Sequence, residues 1–304
     1  MQERNIKKGI FYGVSAYLIW GFLPIYWKLL EPVSAEVVLA HRIIWSFIFM
    51  IVFIVITKQL RSFLKECKKI LHHKKTLLII VSASFIISSN WLIFIWAVQA
   101  ERVIQVSLGY YINPLMSVLF GVFFLKEKLS PAQILSFVLA GIGVLYLTIT
   151  YGVFPWISLS LAATFAVYGL LKKVVPIRSA FSLAIETLIV TPIALIYLVI
   201  FGNNLGFAQG SFSINLLLIS AGVATAIPLL LFGSAVQLMP LSMSGFLQYI
   251  APTIMLLMGI FLYNEPFSIP HLITFTLIWI SLILYMSTSL QHKKKAELKH
   301  QKSI

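Results

Sequence analysis

The stretch Ala97-Val98-Gln99-Ala100-Glu101-Arg102-Val103-Ile104-Gln105-Val106-Ser107-Leu108-Gly109-Tyr110-Tyr111-Ile112-Asn113-Pro114 has a second, thinned copy 138 residues later. Ala97-Val98-Gln99 falls on Ala235-Val236-Gln237, Tyr111-Ile112 on Tyr249-Ile250, and Pro114 on Pro252. Further along, Gly121 falls on Gly259, Phe123 on Phe261, Glu127 on Glu265 and Ser130 on Ser268. Matches of Leu or Ile between two apolar stretches would carry little weight. Pro, Gly, Glu, Gln and Tyr at one constant offset mark an internal duplication. Earlier stretches align less cleanly, with Tyr26 opposite Tyr168 at a different offset.

What is duplicated follows from composition. Of 304 residues, 60% are hydrophobic and 11% charged, against about 45–50% and about 25% in soluble domains. A globule of this size lacks the interior to hide that much apolar surface, so the surface faces lipid. Apolar segments near 9–29, 35–57, 76–98, 103–125, 131–149, 153–171, 179–201, 213–234, 242–263 and 268–289 are spans of roughly 20 residues. The expected fold is therefore an all-α integral membrane protein with ten transmembrane helices. The duplication divides it into five-helix repeats at 1–150 and 151–304, the second ending in a basic tail. An odd number of spans per repeat inserts the halves in opposite senses, giving an inverted-topology pair.

Charge placement sets the orientation. Arg4, Lys7, Lys8, Lys58, Arg61, Lys65, Lys68, Lys69, Lys74, Lys75, Lys126, Lys128, Lys172, Lys173, Arg178, Lys293, Lys294, Lys295, Lys299 and Lys302 fall on one side, 20 of the 23 basic residues. Lys28 and Arg102 fall on the other, and Arg42 lies within a span. Positive loops stay inside, so both termini are expected in the cytoplasm. Glu127 then sits in a cytoplasmic loop and its counterpart Glu265 outside, as inversion requires. The same short, scattered placement argues against a continuous basic face, so no nucleic-acid partner is expected.

The chemistry of enzymes finds few candidates. All nine acidic residues are Glu, which disfavours a hard-cation site, and the one cysteine, Cys67, excludes an intramolecular disulfide or a thiolate cage. His72 and His73 are adjacent and cannot share a helical face. There is no phosphate-binding Gly-rich loop, and no Ser/His/acid set falls at comparable membrane depth. No catalytic residue, metal or cofactor is expected.

Binding has more to offer. Pro114 and Pro252 sit about ten residues into matching spans, where a proline frees the carbonyl of residue i−4, here Tyr110 and Gln248. Around them gather Ser107, Tyr110, Tyr111 and Asn113 in one span, and Gln248, Tyr249 and Thr253 in the other. Such helix breaks either line a wet cavity or are packing kinks buried against protein. Asn90 shares a helical face with Phe94 and Ala97 and must point inward, toward substrate or toward a neighbouring helix. Trp20, halfway along span 1, and Tyr168 in span 6 add aromatic surface, whereas Trp156 and Trp279 read as interfacial anchors. Arg42 and Glu186 are the embedded charges; their depths from opposite faces argue against a direct pair. Glu186 is either a proton-coupling carboxylate or a structural acid.

Six stretches taken together resemble the EamA family of the drug/metabolite transporter superfamily: 16–21 (AYLIWG), 41–46 (HRIIWS), 90–98 (NWLIFIWAV), 107–115 (SLGYYINPL), 185–187 (IET) and 245–253 (GFLQYIAPT). The resemblance covers essentially the whole chain. It implies ten helices in two inverted repeats, the bacterial cytoplasmic membrane, and a permease role. Some members carry a chloramphenicol-sensitivity label, a drug phenotype that does not establish a natural substrate. The expected function is thus secondary transport of a small organic metabolite or drug by alternating access. The cargo is expected to be largely neutral or zwitterionic, stacked by Trp20, Tyr110 and Tyr249 and oriented by Asn90, Asn113 and Gln248. A non-transporting membrane sensor or interaction protein is the alternative. Further partners are the bilayer, with 58–75 either an amphipathic surface segment on anionic headgroups or a solvated loop, and, left open by the sequence, a second copy in a homodimer.

Overall fold

A backbone amide in the bilayer core finds no water, so each apolar run must close its own hydrogen bonds as a helix. The computed structural model describes residues 2–125, 131–174, 177–201, 211–238 and 247–301, and among them it holds eleven helices and no strand. These are α1 (Gln2–Lys28), α2 (Ala35–Ile56), α3 (Leu60–His72), α4 (Lys74–Gln99), α5 (Val103–Leu125), α6 (Pro131–Tyr151), α7 (Trp156–Val174), α8 (Ser179–Phe201), α9 (Phe212–Leu238), α10 (Ile250–Phe261) and α11 (Ile269–Gln301). Six of them carry a stretch long and apolar enough to cross a membrane, in α1, α2, α4, α6, α8 and α9, and shorter apolar helices occur at 156–172, 250–261 and 269–284. The chain is a multi-pass membrane protein. Ile149, Val199 and Phe212 are among many large apolar side chains on its outer surface.

One expected segment gains a defined helix, and one expected span is corrected. The basic segment 58–75 folds as α3, whose Phe63 and Ile70 are buried in a core shared with α2, α4 and α8. Its apolar residues recur three or four apart and form one stripe, so burial of that stripe holds the basic face outward. Within the described part of the ninth expected span, 247–263, Leu247 is helical, Gln248 and Tyr249 form a turn, and α10 begins at Ile250. Pro252 therefore stands in the first turn of α10, where a missing N–H leaves no intrahelical bond broken. Pro114 is inside α5, as expected, but Pro24, Pro192 and Pro228 are inside helices too. The stretch 239–246, Glu127 and Ser130 lie outside the described residues.

Tight reversals keep successive helices adjacent. After α2, Lys58 takes φ 57°, its N–H bonds Val55 O at 3.0 Å, and the Gln59 N–H bonds Ile54 O at 2.9 Å. After α4, Glu101 takes φ 55°, and Arg102 N–H bonds Ala97 O at 2.8 Å. A left-handed residue of this kind satisfies the last carbonyls and turns the chain within two residues.

The helices pack in a regular pattern. α5 lies on α7 and α1 on α10; α4 lies on α7 and α1 on α9; α2 lies on α9 and α4 on α8. In addition α2 meets α8, α5 meets α10, and α6 meets α11. Without a hydrophobic drive between helices in lipid, small residues and interhelical hydrogen bonds fix these contacts. A Cβ on Gly222 of α9 would strike the Trp45 carbonyl of α2, and one on Gly109 of α5 would come within 2.8 Å of Ser158 O on α7. Ser107 Oγ donates to Pro252 O at 2.7 Å, Thr274 Oγ1 to Gly143 O at 3.0 Å, and Ser281 Oγ to Ser136 O at 2.6 Å.

Candidate functional site

Arg42 on α2 is the centre of the most unusual environment in the interior. Its guanidinium carbon lies 4.9 Å from the ring centroid of Trp27 on α1 and 4.3 Å from that of Trp91 on α4. Its Nε donates to Thr225 Oγ1 on α9 at 2.8 Å, and Nη1 has no hydrogen-bond partner among the described residues. Tyr26 and Tyr110 lie within its electrostatic reach. A desolvated cation–π contact contributes roughly 2 kcal/mol or more, whereas burying one ion costs several kcal/mol. The two indoles offset part of that cost, and no carboxylate among the described residues offsets the rest.

Around this centre the expected residues separate into distinct groups. Asn90, buried on α4, donates through Nδ2 to Leu161 O at 3.0 Å and Thr164 Oγ1 at 2.8 Å on α7. Its amide nitrogen thus bonds helix to helix, while Oδ1 has no partner among the described residues. Tyr110 packs edge-on against Phe94 at 6.0 Å and Phe165 at 6.3 Å. Phe165 in turn lies 6.2 Å from Tyr168, so an aromatic chain runs from the Arg42 region to Glu186.

Glu186 is not alone in the membrane. Lys172 Nζ is 2.6 Å from its Oε1, Ser182 Oγ donates to the same oxygen at 2.6 Å, and Tyr168 OH donates to Oε2 at 2.9 Å. Lys172 also bonds Ser182 Oγ. Counted above as a loop charge, Lys172 stands on the last turns of α7 and its side chain is only 28% exposed. Arg42 and Glu186 are not paired with each other.

The other aromatic residues fall elsewhere. Trp20 packs on Tyr17 at 5.4 Å and Phe232 at 5.5 Å, and Tyr249 stacks on Tyr111 at 6.0 Å. The expected stack of Trp20, Tyr110 and Tyr249 is therefore divided among three ring clusters. Tyr111 OH bonds Thr253 Oγ1 at 2.6 Å, Asn113 is buried with Oδ1 unpartnered, and Gln248 is half-buried in the turn before α10. Trp279, expected at the membrane surface, packs against Tyr111 at 6.2 Å and is partly buried. Sequence reasoning missed Trp27 and Thr225 altogether. Each is one residue in an apolar helix, and the only available signal was that an embedded Arg needs something to lie against.

Outside the spans, Glu265 caps α5: its Oε1 accepts from Val103 N–H at 2.6 Å and Oε2 from Ile104 N–H at 2.8 Å. Burial pushes its carboxyl above the usual range, and the two N–H bonds oppose that shift. Among the described residues no three His, Cys, Asp or Glu side chains gather to hold a metal ion.

Comparison with known proteins gives the chain's relatives. Residues 7–149 match the model of the EamA-like transporter family. The chain is 43% identical to the uncharacterized transporter YojE of Bacillus subtilis, over 98% of this chain and 99% of that protein. It is 39% identical to Protein RarD of Escherichia coli, over 97% of this chain and 99% of that one. A crystal structure, 16% identical, superposes with a TM-score of 0.61 over 91% of this chain and 96% of its own, which shows a shared fold.

Proposed function

The chain belongs to the EamA-like transporter family and groups with its RarD proteins, and on that premise we propose that it carries a small organic molecule across the bacterial cytoplasmic membrane by alternating access. The observation that carries this reading is the unsatisfied interior. Arg42 Nη1, Trp27 Nε1, Asn90 Oδ1 and Asn113 Oδ1 are all buried without a partner among the described residues. Buried polar atoms are ordinarily bonded, and in a membrane protein their natural partners are cargo or the water of a passage.

The pattern of helix contacts supports the division into two inverted halves. Let α1, α2, α4, α5 and α6 correspond in order to α7, α8, α9, α10 and α11. Exchanging the halves then turns α5·α7 into α1·α10, α4·α7 into α1·α9, and α2·α9 into α4·α8; α2·α8, α5·α10 and α6·α11 map onto themselves. At the offset of 138, the bond from Thr274 to Gly143 exchanges residues with that from Ser281 to Ser136. Such reciprocity is the mark of a two-fold relation. It supports five-helix repeats at 1–150 and 151–304; the odd number of spans in each supports insertion in opposite senses, and the 20 basic residues on one side support both termini in the cytoplasm. In this reading the halves rock about the α5–α10 crossing, and cargo sits between Arg42, Asn90 and Tyr110. Saturable uptake into proteoliposomes tests it.

A further inference from the structure

The two embedded charges have different fates. Glu186 is neutralised inside the fold by Lys172 at 2.6 Å and by hydroxyls from Tyr168 and Ser182. Arg42, 5% exposed, has no such partner among the described residues. Its faces are covered by Trp27 and Trp91 and its Nε is engaged by Thr225, which leaves the in-plane Nη edge. Nη1 on that edge is unpartnered, and so is Nε1 of the flanking Trp27. Both orphans are donors, and one bears a full charge. A neutral acceptor could complete either hydrogen bond, but only an anion also compensates a buried cation.

Resting on the transporter reading above, we propose that the cargo is a small organic carboxylate, and that Arg42 receives its carboxylate between Trp27 and Trp91. The two oxygens of a carboxylate match the guanidinium's in-plane N–H edge, and the indoles hold that plane fixed. Tyr110 and Phe94 offer aromatic surface for the remainder of the molecule. Trp27, Arg42 and Trp91 belong to one proposed half and Thr225 to the other, so the charge is received at the seam that alternating access must open. The expectation of a neutral or zwitterionic cargo counted Arg42 against Glu186; Lys172 removes that balance and leaves one positive charge.

The test uses the purified full chain and acid–amide pairs, benzoate with benzamide and indole-3-acetate with indole-3-acetamide. Ligands that bind the native state raise its unfolding temperature. Each acid is expected to raise the midpoint at lower concentration than its amide. In Arg42→Met the acid's half-saturating concentration rises by about thirtyfold or more, as when one partner of a buried charge pair is lost. Arg42→Lys keeps part of the acid preference. Ligand-free Arg42→Met unfolds at or above the wild-type midpoint, because an uncompensated charge has been removed. Equal shifts for acid and amide, an acid shift that survives in Arg42→Met, or a ligand-free Arg42→Met well below wild type overturns the proposal. Uptake of the same four compounds separates the two readings. Flux of amides alone leaves transport standing and removes the carboxylate. An acid-specific midpoint shift with no flux keeps the binding site and counts against transport.

Discussion

Tyr111 and Tyr249 stack with ring centroids 6.0 Å apart and planes 15° apart, and they are separated by the same 138 residues that relate the two copies of the repeat. In a two-fold arrangement a residue meets its own counterpart only at the axis. On the two-half account this pair therefore sits at the pivot. An aromatic pair contributes about 0.5–1.5 kcal/mol beyond its buried area. A double-mutant cycle of Tyr111→Ala and Tyr249→Ala, followed by unfolding in detergent, is expected to give a coupling of about 1 kcal/mol. A coupling near zero would mean the stack contributes nothing to holding the halves together.

The α2–α9 crossing depends on a missing side chain. Because a Cβ on Gly222 meets the Trp45 backbone, Gly222→Ala must push the helices apart, at a cost of roughly 1–3 kcal/mol or more. Gly222 is one turn from Thr225, so the Arg42–Thr225 bond should loosen with it. The variant is expected to unfold at a lower temperature than wild type, whereas Gly141→Ala, where nothing lies within 4 Å of the added carbon, should not.

The Lys172–Glu186 pair predicts an asymmetry between single and double variants. Removing one partner of a buried pair costs on the order of 3 kcal/mol, tempered here by the partial exposure of Lys172. Lys172→Met and Glu186→Gln should each lower the unfolding temperature, and the double variant should recover most of the loss. If Glu186→Gln alone is neutral, Lys172 and Glu186 do not depend on each other.

These examples show what the chain discloses and what it hides. The all-helical membrane fold is legible because lipid imposes a long apolar run on each spanning helix, and the proposed repeat rests on Tyr111, Pro114 and Glu127 keeping one offset to their counterparts. The cluster around Arg42 is not legible, since Trp27, Trp91 and Thr225 come from helices that nothing in the sequence brings together. Lys172 is placed in a loop by its position along the chain, which cannot show its side chain reaching Glu186 on the next helix. The amphipathic character of 58–75 is legible, but which residues it buries is not, because Phe63 and Ile70 need α4 and α8 to be buried against.

Glu265 gives a pH dependence whose sign can be worked out. Burial holds its folded-state carboxyl above the usual range. A raised value means the protonated form is favoured by folding, so this stability is present below the unfolded-state value and is lost as pH rises through the folded-state value. Unfolding temperature should therefore fall with rising pH just above the ordinary carboxylate range, and Glu265→Gln should flatten that slope. A rise with pH in the same window would mean that the two N–H bonds to Val103 and Ile104 outweigh burial.

The central claim is movement of cargo by two rocking halves, and the most direct measurement is counterflow. Purified protein is reconstituted in vesicles and given labelled small organic molecules, including the acid–amide pairs and chloramphenicol. The account predicts saturable uptake of at least one of them, accelerated when the vesicles are preloaded with the same unlabelled compound, since a loaded carrier returns to face outward. Uptake that is never saturable or never accelerated by preloading, with protein that unfolds cooperatively, would contradict it.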